Sequence, residues 1–230
     1  MSLTSWPFLR MYPLLQRVLA GLLCIAAFPC VLRGDVFITY SGQTISPGGT
    51  GYIDVFVSSN APATAPDLID SFSVRFQITP LSGSVVDGLQ FLDPQSDAQL
   101  AMPNYLFAGD SLFSPGPTGA VSTTLNTNDT FIAGDGTISG NGRALDLSVA
   151  PFLLFRLDLA AANAVAGDKF NISVVNDAST SFLDTAAAEL VIDSSSFAPL
   201  EITAVPEPTS FTALSVAAVF AIRRFRRKQK

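Results

Sequence analysis

The chain has 230 residues, with 13 Lys+Arg against 19 Asp+Glu, two Cys and no His. Without histidine there is no Ser-His-Asp relay and no His-based zinc site, so metal binding is left to oxygen ligands of the kind calcium takes. The charge is segregated: residues 35–204 hold 18 acids and four bases (Arg75, Arg143, Arg156, Lys169), a net charge of −14, between two basic ends. That body lacks the basic face a nucleic acid requires.

The N-terminal segment opens with Arg10 and Arg17, and an unbroken apolar run follows from Val18 to Phe28. A charged region before a run of this length is the pattern of a secretory signal peptide. Cleavage is expected after Gly34, before Asp35, giving a leader at 1–34; a retained N-terminal anchor helix and a lipid-modified cysteine are the alternatives. Both cysteines, Cys24 and Cys30, lie in this segment, so removing the leader leaves a body without thiols or disulfides.

From residue 35 to 204 the chain predicts strands and turns. "GYIDVFVSS" sets Ile53, Val55 and Val57 on one face. "IDSFSVRFQI" sets Phe72, Val74, Phe76 and Ile78 opposite Ser71, Ser73, Arg75 and Gln77. This period of two is that of a half-buried strand. "DPQSDAQLAM" (Asp93–Met102) predicts a short helix, with Pro94 in its first turn and Pro103 ending it. "PFLLFRLDLA" places Leu153, Phe155, Leu157 and Leu159 on one face, while the other changes from Phe152 and Leu154 to Arg156 and Asp158. It suits a central strand covered at one end on both faces. "DKFNISVV", "ELVID" and "LEITAV" supply three further strands, and "SPGGTG", "SPGPTG", "GDGTISGNG" and "NDAST" have turn composition. The expected fold is all-β: one β-sandwich, of jelly-roll type, at 35–204.

Candidate chemistry in the body is sparse. Asn126, Asn128, Asp129, Asp135 and Asn141 lie among glycines. This cluster serves either turns or a calcium ion, with Asp129 and Asp135 as the carboxylate ligands, although EF-hand spacing is absent. Asp67 with Asp70, and Asp93 with Asp97, are the carboxylate pairs a glycoside hydrolase would need, or else solvated surface acids. Tyr105, beside Met102 and Phe107, offers either a sugar-stacking patch or core packing. With no histidine, no cysteine in the body and the single tryptophan at Trp6 in the leader, a non-enzymatic role is expected. The alternatives are a carbohydrate-active enzyme using paired carboxylates and a calcium-dependent adhesion module.

The last segment, 205–230, has three parts. Pro206-Glu207-Pro208 cannot join a strand ladder or a helix interior. Thr209–Ile222 is 14 uncharged residues, roughly 21 Å as a helix against a bilayer core of ~30 Å. Arg223, Arg224, Arg226, Arg227 and Lys228 then form a basic stop that stays cytoplasmic, so the body faces outward, as the leader also implies.

These three parts in this order resemble the PEP-CTERM sorting signal. The resemblance implies an exported bacterial protein, held briefly at the inner membrane by a short transmembrane helix. An exosortase, a membrane processing enzyme, would handle it at Pro206, Glu207 and Pro208 and deliver it to an envelope or a matrix of exopolysaccharide and biofilm. The stretch "LLFRLDLAAANAVAGDKFNISVVNDASTSFLDTAAAELVID" resembles cohesin-like and carbohydrate-binding-module-like sandwiches. It implies a structural, adhesive or polysaccharide-binding body and carries over no functional residue.

Overall fold

The computed structural model describes residues 33–41, 44–112, 123–124, 128–193, 195 and 198–205. The apolar run of the leader, the "SPGPTG" turn, Asn126, the Pro-Glu-Pro motif and the basic stop lie outside the described residues. Among the described residues no helix is long and apolar enough to cross a membrane.

The chain forms β1 (Val36–Tyr40), β2 (Thr50–Ser59), β3 (Asp67–Ile69), β4 (Ser71–Pro80), β5 (Gln90–Phe91), β6 (Thr123–Thr124), β7 (Thr130–Gly136), β8 (Arg143–Leu145), β9 (Phe152–Ala160), β10 (Lys169–Val174), β11 (Ser181–Leu183) and β12 (Leu200–Thr203). One sheet has the order β1-β2-β9-β5 and the other β12-β10-β4-β7-β6; β3 and β8 pair separately. β10 and β11 share one edge of β4, β10 along Phe76–Pro80 and β11 along Ser71–Ser73. All the ladders of these strands are antiparallel.

The alternation read in the sequence decides what is buried. Phe72, Val74, Phe76 and Ile78 of β4 point into one core with Ile53, Val55 and Val57 of β2 and Phe170, Ile172 and Val174 of β10. Rings bridge the sheets: Phe131 of β7 lies 5.6 Å from Phe91 of β5 and 5.4 Å from Phe155 of β9. Two sheets closing a shared apolar layer make a β-sandwich.

β9 departs from simple alternation. Val55 pairs with Phe155 and Phe56 with Leu153, so Leu154 is the extra residue of a bulge. A bulge puts two residues of one strand opposite one of its partner. Leu154 therefore joins Phe155, Leu157 and Leu159 in the core, while Leu153 is buried outside that cluster, under the segment that bonds it at Asn104 and Leu106.

Three expectations are corrected. Asp93–Met102 is not an α-helix, and only Ala98–Ala101 makes a 3-10 turn. Its polar groups bond β9 instead: Gln95 Nε2 donates to the Leu92 and Asp158 carbonyls, Gln95 Oε1 accepts from the Asp158 N–H, and the Ser96 N–H donates to the Asp158 carboxylate. "ELVID" forms isolated bridges, Glu189 with Leu183 and Ile192 with Val36, rather than a strand. "GDGTISGNG" begins inside β7, not in a turn. A Cβ at Gly134 would stand 3.2 Å from the Phe72 carbonyl, and one at Gly136 3.1 Å from a Leu112 methyl; these glycines admit close neighbours.

Burial also tunes two phenols. Tyr40 is pushed up to about 12, by burial first and against a smaller pull from the Val174 backbone. Tyr105 is pushed up further, by burial and then by the charge and hydrogen bond of Asp135. A raised folded-state value favours folding as long as the unfolded phenol keeps its proton, so the contribution is intact below pH ~10 and lost as pH rises toward 12. Thermal melts from pH 8 to 12 are expected to fall steeply above pH 10, and Tyr40→Phe to make that fall shallower.

Candidate functional site

Strand alternation turns Tyr52 and Asp54 of β2, and Arg156 and Asp158 of β9, to the outer face of the first sheet. The register pairs Tyr52 with Asp158 and Asp54 with Arg156. Arg156 Nε and Nη2 donate to the two Asp54 oxygens at 2.7 and 2.9 Å. This fork-to-fork geometry fixes the guanidinium plane. The same plane lies 3.8 Å from the Tyr52 ring centre, within range of a cation–π contact. The hydrogen bonds to Asp54 hold the Arg156 pKa above its ordinary value.

Tyr52 is thus a positioned ring, 39 % exposed. It borders an open groove of about 580 Å³ with Thr44, Thr50, Gly51, Leu92 and Asp158. Asp158 is held in turn: one carboxylate oxygen accepts the Ser96 N–H at 2.9 Å. An ionised carboxylate accepts several donors, so Asp158 keeps capacity for a ligand hydroxyl. A fixed aromatic face beside a carboxylate in an open groove suits a sugar, whose C–H face packs on the ring while its hydroxyls donate.

The residues singled out in the sequence go elsewhere. Asp135 is buried; it accepts from Tyr105 Oη at 2.5 Å, Ser111 Oγ at 2.6 Å and the Gly136 N–H at 2.7 Å. Asp129 stands just before β7 and accepts from the Thr130 hydroxyl. Six residues of extended chain, roughly 20 Å, separate Asp129 from Asp135, so the fold does not bring them together. Among the described residues no group of three or more His, Cys, Asp or Glu is placed to hold a metal ion. Asp67 and Asp70 have separate partners: Asp67 is buried and bonds Ser59 Oγ at 2.5 Å, while Asp70 accepts from the Thr137 hydroxyl. The exposed sugar-stacking patch at Tyr105 is corrected, because Tyr105 and Phe107 are buried and meet edge to face at 6.4 Å. The sequence does carry a signal for the outer-face site, since Tyr52 and Asp54, and likewise Arg156 and Asp158, occupy alternate positions. The pairing of β2 with β9, which brings the two sets together, is not written in either strand.

No family model matches the chain, and no curated protein matches it. Its layout is similar to that of solved cohesins. The seventh ScaB type I cohesin from Pseudobacteroides cellulosolvens aligns at 7% identity over 75% of this chain and 93% of its own, with a TM-score of 0.48. The sixth cohesin from scaffoldin B of Acetivibrio cellulolyticus aligns at 10% identity over 75% and 99%, with a TM-score of 0.47. A non-cellulosomal cohesin from the archaeon Archaeoglobus fulgidus aligns at 8% identity over 78% and 97%, with a TM-score of 0.43.

Proposed function

We propose that this chain is an exported, non-enzymatic envelope or matrix protein whose β-sandwich binds polysaccharide through the outer face of the β1-β2-β9-β5 sheet. The observation that carries the binding role is the Tyr52 ring, backed by the Asp54-fixed Arg156 and set beside Asp158 in an open groove. Delivery rests on the two ends of the sequence: the leader exports the body, and the PEP-CTERM-like tail tethers it until an exosortase-type enzyme processes it at Pro206–Pro208.

Charge narrows the ligand. A body of net −14 repels anionic polymers. Among the described residues the cation over the ring is Arg156, and Asp54 neutralises it. The ligand is therefore a neutral polysaccharide.

Electrophoresis of the exported protein through gels carrying neutral or anionic polysaccharide tests this reading. Retardation is expected in the neutral gel and not in the anionic one. Free migration through a panel of neutral polysaccharides would overturn it.

A further inference from the structure

The path of the chain gives the sandwich two distinct ends. Arg33 enters at the end where β1 meets the last residue of β2, Val36 opposite Ser59. Ten residues of β2, roughly 30 Å, lead from there to the other end, where the loops 44–49, 81–89 and 161–168 meet. The chain leaves the body at this second end. The Ala204 N–H donates to the Asp168 carbonyl at 2.9 Å, the Val205 N–H donates to the Ile45 carbonyl at 2.9 Å, and Ala204 is 2 % exposed. The body is therefore folded up to the residue that precedes Pro206.

We propose that this exit end is a membrane-docking tip, seated on the phospholipid surface while the tail holds the precursor. The inference rests on the tether reading of the tail. Between Val205 and the first residue of the uncharged run, Thr209, only Pro206, Glu207 and Pro208 intervene. Fully extended, that link spans at most about 14 Å. The 14-residue run is itself short for a bilayer core, and a short span draws its flanks toward the interface. No other part of the body is held so near the lipid.

The surface of this end fits that position. Val85, Val86, Val165 and Val205 are 38, 71, 56 and 42 % exposed. The turns that carry them are cross-linked: Lys169 N–H donates to Ser84 Oγ at 2.8 Å, and Gly167 N–H to the Ala204 carbonyl at 2.9 Å. The loops 44–49, 81–89 and 161–168 carry two of the body's 18 acids, Asp87 and Asp168, and Asp129 stands nearby, its carbonyl accepting the Ile78 N–H at 2.7 Å. Asp168 is turned inward to accept the Val165 N–H at 2.9 Å, and Lys169 neutralises Glu201 at 2.7 Å. An acidic body thus meets the membrane with an end that repels it little. Exposed apolar residues also occur at the entry end, Leu147 among them, so apolar exposure does not choose the tip; the length of the tether does.

The full exported chain without its leader, Arg33–Lys230, which holds no cysteine, tests this in phosphatidylcholine vesicles carrying a headgroup-spin-labelled phosphatidylcholine. Single cysteines at Val86, Val165 or Leu147 carry an environment-sensitive fluorophore. Flotation with the vesicles is compared with that of the same chain ending at Val205. The expected result is flotation of the full chain alone, with quenching at 86 and 165 at least threefold that at 147. Flotation with equal quenching at the three positions overturns the docking and leaves the tether standing, whether the tip is free, self-associated or covered by another protein. Equal flotation of the shortened chain, or none by either, overturns the tether and the docking with it. Using both 86 and 165 keeps the result readable if one variant folds poorly.

Discussion

Asp135→Ala is expected to cost the sandwich about 3–5 kcal/mol, since it strips the acceptor from two buried hydroxyls at once. Tyr105 Oη and Ser111 Oγ both donate to one oxygen of Asp135, and the Gly136 N–H to the other. Tyr105 is fully buried and Ser111 is 1 % exposed, so water does not replace the lost partner. This network ties the segment ending at Leu112 to β7, where among the described residues the only strand pairing is a bridge from Ser111 to Thr137. Thermal melts of the variant are expected to drop by roughly 10 °C or more for a body of this size. The cycle with Tyr105→Phe is expected to show a coupling of about 1–3 kcal/mol. A variant within about 1 kcal/mol of the parent would mean that the buried carboxylate contributes little.

Phe131→Ala is expected to cost about 3–5 kcal/mol, the range for emptying an aromatic site in a packed core. Phe131 reaches from β7 to Phe91 and Phe155 of the opposite sheet, so its removal opens a void between the layers rather than at their rim. Phe131→Leu keeps most of the volume and is expected to cost less than about 1.5 kcal/mol. Denaturant melts separate the two; equal losses would show that the ring contacts to Phe91 and Phe155, absent from both variants, outweigh cavity volume at this position.

How much of this was legible in the sequence differs by element. β2, β4, β10 and β12 were readable because each carries an uninterrupted period of two over a buried face. β9 was readable as a strand, but its bulge at Leu154 was not, because a bulge is set by the partner strand. β1 begins at Val36, just past the expected leader boundary, and its five residues show too little alternation to stand out as a strand. β3, β5, β8 and β11 span two or three residues each, too few for a period to show. β7 was hidden by its glycines, whose role is close approach to Phe72, Asp70 and Leu112 rather than turning. The 93–102 segment satisfied helix rules locally and lost to hydrogen bonds from β9, sixty residues away in sequence.

The site was legible only in halves. Asp129 and Asp135 looked like a ligand pair because Asp and Gly mark both turns and calcium loops, but extended strand separates them. Tyr52 and Arg156 lie 104 residues apart in sequence, and only the β2–β9 register joins them. The leader boundary shows the same limit. Arg33 pairs with Asp184 and donates to the Glu189 carbonyl, and Gly34 packs so tightly that a Cβ would stand 2.3 Å from the Ala61 nitrogen. Both residues stand on the leader side of the expected boundary, and their contacts with the body are not visible in the local sequence.

The central claim, that the sandwich binds neutral polysaccharide on the Tyr52 face, is tested most directly by calorimetric titration with oligosaccharides of the polysaccharide that retards the parent, into parent and Tyr52→Ala side by side. Losing a ring that packs on the ligand is expected to cost about 1.5–3 kcal/mol, a tenfold or greater fall in affinity, with the melting temperature of the free protein little changed. Equal affinities for the two proteins would contradict the account and place the binding surface elsewhere.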